Sequence, residues 1–231
     1  KATIAKEKGL EALANIIMLQ MTDRPIEEEA KEYIDEEKEV LNEKDAIAGA
    51  LDIIAENISD EANYRSYIRD ITYNSGYIVS NVKEKETESV FEMYYDYKEE
   101  VKKIPGHRIL AINRGEKEKI LSIKVEAPEE RIIRFLEKKL IVRENPHTKD
   151  LINSACEDSY KRLIAPSIER EVRSELTQKA EDGAIEVFGK NLEQLLMQPP
   201  IAGQVVLGWD PAFRTGCKLA VVDPTGKSLY T

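Results

Sequence analysis

Two places in this sequence gather side chains able to do chemistry. The first is Asp210. An apolar run, Val205 to Gly208, ends at this carboxylate, a turn covers Pro211 to Gly216, and a second apolar run covers Cys217 to Val222. A carboxylate at the exit of a β-strand is where a two-metal phosphodiester-cleaving site begins, but further carboxylates must complete it. Asp223 stands before Pro224, Thr225 and Gly226 and reads as a turn residue. One carboxylate is not a catalytic set, so Asp210 is expected to be structural or vestigial. No catalytic residue, metal or cofactor is expected in this chain.

The second place follows the break at Pro105 and Gly106. His107 and Arg108 come directly after it, Lys102 and Lys103 precede it, and Arg114, Lys117 and Lys119 follow. Such closely spaced cations beside a short helix suit contact with phosphate oxygens, which positions a nucleic acid without reading its sequence. The plain alternative is a solvated face with His107 packed in the turn. The other histidine, His147, follows Pro146 at a helix start, and two histidines so far apart make neither a metal site nor a triad. Cys156 and Cys217 fit no metal spacing and read as packed thiols of a reduced, cytoplasmic compartment.

Charge is unevenly distributed. The net charge of −10 argues against a dedicated nucleic-acid binder. Yet Asp23 to Asp60 holds 14 acidic and 4 basic residues, a local −10, whereas Lys102 to Lys149 holds 13 basic and 7 acidic, a local +6. A basic segment on an acidic body attracts phosphate locally and in a salt-sensitive way. Tyr94, Tyr95 and Tyr97 alternate with acidic residues rather than cations, so core packing is the better reading for them than base stacking.

The elements that must position these residues are mostly helical. Leu10, Leu13, Ala14, Ile17 and Met21 form one apolar stripe. Pro25 opens a second helix, with Glu27, Glu28 and Glu29 in its first turn and Ile26, Ala30 and Tyr33 on its apolar face. Asp45 is expected to cap a third helix (Ile47, Ala50, Leu51, Ile54), and Ser59 or Asp60 a fourth (Tyr64, Tyr67, Ile68, Ile71). Tyr77 to Val82 fits a short strand or a helix. A helix is expected from Glu86 to Lys103, a short one from His107 to Asn113, a turn at Arg114 to Lys119, and a strand at Ile120 to Val125. Pro128 opens another helix, and two long helices broken at Pro166 follow from His147. Pro199, Pro200 and Gly203 form a linker.

The apolar runs are too short to cross a bilayer. A phosphate loop, a dinucleotide glycine fingerprint, a Gly-x-Ser-x-Gly elbow and a Cys-x-x-Cys pair are all absent from the sequence. The fold class expected is mainly α: a multi-helix scaffold over residues 1–202 with small β elements, then the first strands of an α/β domain over residues 203–231.

Five stretches in register carry a family resemblance. IPGHRILAINRGEKEKILSIKVE, AIEVFGKNLEQLLMQPP and VVLGWDPAFRTGCKLAVVD resemble the bacterial Tex family of transcription accessory proteins, as do AKEKGLEALANII and DAIAGALDIIAENIS. The resemblance covers nearly the whole chain. It implies a helical region with helix-turn-helix character leading into the RNase H-like YqgF domain, the chain starting inside the first and ending inside the second. It also implies further helix-hairpin-helix and OB-fold parts beyond this chain, to which most of the family's RNA and DNA binding belongs. Ala212 departs from the glycine usual after the Asp-Pro of the YqgF motif, so Asp210 carries over as a position and not as an activity. The function expected is non-catalytic nucleic-acid binding in transcription, with this part acting mainly as scaffold and the transcription machinery as a possible partner. The alternative is a protein-interaction module, including a homodimer paired through the exposed C-terminal strands.

Overall fold

The computed structural model describes residues 1–84, 88–199, 201–212, 214 and 216–231. It divides into two compact units, Lys1–Glu181 and Asp182–Thr231.

The first unit is organised around one helix, α4 (Glu43–Asp60). Packed on it are α1 (Ala2–Glu7), α2 (Glu11–Leu19), α3 (Ile26–Ala30), α5 (Ala62–Ser75) and α8 (Lys149–Asp158). Its sequence explains the central place. Ala46, Ala50, Ile53, Ile54, Ala55 and Ile58 are all buried, so small and branched residues cover more than half of its circumference. Asn42, rather than Asp45, caps α4: its side chain accepts from the Asp45 N–H at 3.0 Å. Asp45 in turn accepts from the N–H of Leu41, the residue before the cap, at 3.3 Å. In the same way Glu61, not Ser59 or Asp60, caps α5, accepting from the Asn63 N–H. Leu10, Leu13, Ala14 and Ile17 are buried as their spacing predicts, while Met21 is exposed because α2 ends at Leu19.

A three-stranded antiparallel sheet completes the unit, ordered β2–β1–β3, from β1 (Tyr77–Val82), β2 (Asp96–Glu100) and β3 (Leu121–Glu126). Tyr77 to Val82 is therefore a strand, and the central one. The expected helix from Glu86 to Lys103 is replaced by a short 3₁₀ turn (Glu92–Tyr94) and the edge strand β2; its first residues lie partly outside the described residues. The physical reason is the unpaired edge of β1, which takes Asp96–Glu100 in register (Ile78 opposite Glu99, Ser80 opposite Tyr97). Ser80 is fully buried and donates to the Tyr94 carbonyl at 2.8 Å, fixing the entry to β2.

The helix α6 (Gly106–Lys117) lies against β3 and is longer than expected: Arg114 and Lys117 belong to it, and the turn starts at Glu118. Helix α7 (Glu129–Leu140) starts after Pro128 and buries Ile132 and Leu136. Near its end, the buried Gln20 joins it to α2. The Gln20 amide donates to the Leu140 carbonyl at 2.7 Å, and its oxygen accepts from the Val142 and Arg143 N–H groups, each at 3.1 Å.

Pro166 does not break the chain into two helices. A π-helical turn (Ser159–Ile164) links α8 to α9 (Ala165–Leu196), and the Ala165 N–H reaches the Tyr160 carbonyl. The wider turn accommodates a proline that has no N–H for the regular ladder and would clash with the preceding carbonyl. Up to residue 181, α9 buries Ile168, Val172, Leu176 and Ala180. Arg65–Glu171 (2.7 Å) and Arg69–Glu175 (2.5 Å) hold it to α5, and Arg173–Glu116 holds it to α6.

The second unit carries the remainder of α9 and an antiparallel meander of β4 (Val206–Asp210), β5 (Lys218–Val222) and β6 (Ser228–Tyr230). Leu207, Trp209, Leu219 and Leu229 of this sheet are exposed.

Candidate nucleic-acid interface

The cations around α6 divide into two sets. Lys103 pairs with Glu100 at 2.7 Å, Arg108 with Glu99 at 2.9 Å, and Arg114 with Glu118 at 2.9 Å. Arg108 also lies 5.9 Å from the centre of the Tyr97 ring and bonds its hydroxyl at 3.3 Å. It is thus part of the lock between β2 and α6. The salt link to Glu100 raises the Lys103 ammonium above its usual range and lowers the Glu100 carboxyl. Lys102, His107, Lys117 and Lys119 are exposed, and among the described residues they form no ion pair. Lys119 stands in the left-handed region (φ 64°) just past the end of α6, and the Ile120 N–H closes that turn onto the Gly115 carbonyl at 3.0 Å.

A second cationic surface lies on α7, within the same basic segment. Arg131, Arg134 and Lys138 follow one another at helical spacing on the exposed side, opposite the buried Ile132 and Leu136. Phe135 lies between them and stacks on Tyr67 of α5, with ring centres 3.9 Å apart and planes 23° from parallel. These residues, with Pro128, Glu129 and Glu130, line an open groove of about 750 Å³. Tyr64 meets the edge of Phe135 at 5.9 Å, and the Lys139 ammonium stands 6.0 Å from its ring centre. Of the two acids, Glu129 is paired with Lys161 at 3.3 Å and Glu130 with Arg134 at 3.4 Å.

The sequence marks the cations of this groove but not Tyr67, which its helix stripe assigns to the interior and which is 36% exposed. The Arg131, Arg134, Phe135, Lys138 spacing was the available signal. Tyr94 and Tyr97 meet edge to face at 5.3 Å, and Tyr94 is buried, which is the packing role expected of that group.

Asp210 is exposed at the end of β4, opposite Lys218 of β5. Asp223 is held in its turn, accepting from the Thr225 hydroxyl (2.7 Å), the Thr225 N–H (2.8 Å) and the Lys227 N–H (3.0 Å). These bonds, the hydroxyl first, keep its carboxyl below the ordinary aspartate value. The two aspartates therefore sit in different settings, one at a strand exit and one in a turn. Among the described residues no group of three or more His, Cys, Asp or Glu side chains is placed to hold a metal ion, and no helix is long and apolar enough to cross a membrane.

A family model described as Tex central region-like matches residues 21–188, and one described as Tex protein YqgF-like domain matches residues 204–231. The chain belongs to the Tex family. It is 51% identical over 232 residues to the Bacillus subtilis protein YdcI, covering 99% of this chain and 32% of that protein. It is 34% identical to the Transcriptional accessory protein Tex of Neisseria gonorrhoeae, covering 100% of this chain and 31% of that protein. It is 32% identical to the S1 RNA-binding domain-containing protein 1 of Pongo abelii, covering 100% of this chain and 24% of that protein. The chain therefore spans a third or less of the length of these Tex relatives.

Proposed function

We propose that this chain is the helical scaffold part of a Tex-like transcription accessory protein, non-catalytic and cytoplasmic, and that it makes weak, sequence-independent contact with RNA or DNA phosphates. The observation that carries this reading is the segregation of charge onto one stretch, Lys102 to Lys149, in a chain of net charge −10. The α6 region supplies Lys102, His107, Lys117 and Lys119 as direct contacts. Lys103, Arg108 and Arg114, each paired with a carboxylate, hold the local structure and reach phosphate only by exchanging that partner. The family relationship and the RNA-binding and transcriptional names of the relatives support the same class of ligand. Within this reading the domain boundary lies near residues 202 and 203, Asp210 is a vestigial YqgF carboxylate, and the helical region has helix-turn-helix character.

The test is fluorescence anisotropy with labelled single-stranded RNA and duplex DNA. Replacing Lys102, Lys117 and Lys119 with Glu is expected to weaken both by a similar factor of about ten, since phosphate contacts carry no sequence or strand preference. Unchanged affinity would remove α6 from the interface.

A second reading has its own observation. Trp209, Leu207 and Leu219 are exposed on a sheet with open edge strands, a template for pairing with a second copy or with a component of the transcription machinery. A concentration-dependent rise in mass by sedimentation, abolished by Trp209→Lys, would support it.

A further inference from the structure

We infer that the groove on α7 is a binding site for single-stranded nucleic acid, in which Tyr67 stacks against a base while Arg131, Arg134 and Lys138 hold consecutive phosphates. This rests on the nucleic-acid reading above and assigns it a strand preference and a place. The two ingredients of a single-strand site are a cationic track and an aromatic face, and they coincide here. Arg131 to Lys138 spans seven residues, roughly 10 Å of helix, so the three cations lie along a line that a strand can follow. Arg131 and Lys138 form no ion pair among the described residues. Among the described residues Arg134 pairs with Glu130, with side chains 72% and 88% exposed, a pairing a phosphate can displace at little cost. Glu129, the other acid on the rim, is paired at 3.3 Å with Lys161, which it shares with Glu157.

The ring geometry selects the ligand. Phe135 backs Tyr67 at 3.9 Å, and the 36% exposure of Tyr67 leaves part of that side chain open to the groove. A tyrosine so backed is held in one orientation before anything binds, which lowers the ordering cost of stacking. An unstacked base has a free π-face to offer; duplex bases do not. An acidic peptide would use the cations and leave the ring unused, which is why a nucleic-acid strand is the better fit.

The experiment compares a labelled single-stranded oligouridylate with a duplex DNA of equal charge, on the 231-residue chain. Tyr67→Leu is expected to weaken the oligouridylate about tenfold and leave the duplex unchanged, while Tyr67→Phe, which keeps the ring, retains both. Arg131→Glu with Lys138→Glu is expected to weaken the oligouridylate at least tenfold with the circular dichroism spectrum intact. Binding of oligouridylate unaffected by Tyr67→Leu, or lost equally for both ligands, would overturn the inference while leaving the broader reading standing. Failure of the unaltered chain to bind either polymer at low salt would overturn both. Displacement of the oligouridylate by polyglutamate at matched charge would also overturn it, making the groove a general anion surface.

Discussion

Cys156 is buried on α8, and burial first, then the nearby Glu137 and Glu157 carboxylates, pushes its thiol up to about 12. The thiolate is the reactive form, so this side chain is inert in the folded state. Cys217 is exposed. A thiol reagent such as Ellman's should therefore release one equivalent from the native chain and a second only on unfolding. Two fast equivalents at neutral pH would mean that α8 is not packed as described. The sequence shows that a cation is present but not what it does. Arg108 and Lys119 look alike in the chain. Only the fold brings Glu99 to within 2.9 Å of Arg108, from a different element, and leaves Lys119 exposed in a left-handed turn. The Tyr67–Phe135 stack is equally invisible, because 68 residues separate partners that meet across two helices.

Elements with a strong local signal were legible. The branched and small residues of α4 and the start of α7 after Pro128 define those helices before any partner is considered. The failures are places where a partner decides. Asp96–Glu100 becomes a strand because β1 offers an edge, against its highly charged sequence. Pro166 signals a break, but the π turn absorbs it. Close approach is similarly hidden: Gly115 lets α6 lie on β3, and a Cβ there would stand 2.5 Å from Leu121 Cδ1 and 3.2 Å from Phe91 Cδ1. Leu121 is fully buried and has nowhere to go. Gly115→Ala should then cost about 1–3 kcal/mol, the usual penalty of overpacking. It would be read as a lower urea midpoint at unchanged slope. An unchanged or raised midpoint would show that helix propensity outweighs the clash and that α6 and β3 are less tightly joined.

At the scale of the whole molecule, the governing fact is an acidic chain with one basic stretch, folded so that part of that stretch is locked in ion pairs and part is presented on α6 and α7. Membership of the Tex family was readable from five stretches in register, and the helical fold class from apolar periodicity. The site was readable only as a segment, since charge spacing cannot say which lysines remain unpaired. Contact between the helical unit itself and nucleic acid is what the charge pattern requires. Its most direct measurement is the salt dependence of single-stranded RNA binding by the unaltered chain. Three phosphates neutralised by Arg131, Arg134 and Lys138 contribute about −2 to the slope of log K against log salt, so the slope is expected to be about −2 or steeper. Contacts from α6 would steepen the slope. A slope near zero, or no binding at the lowest salt, would show that the helical unit makes no such contact and leave this part of the protein a scaffold alone.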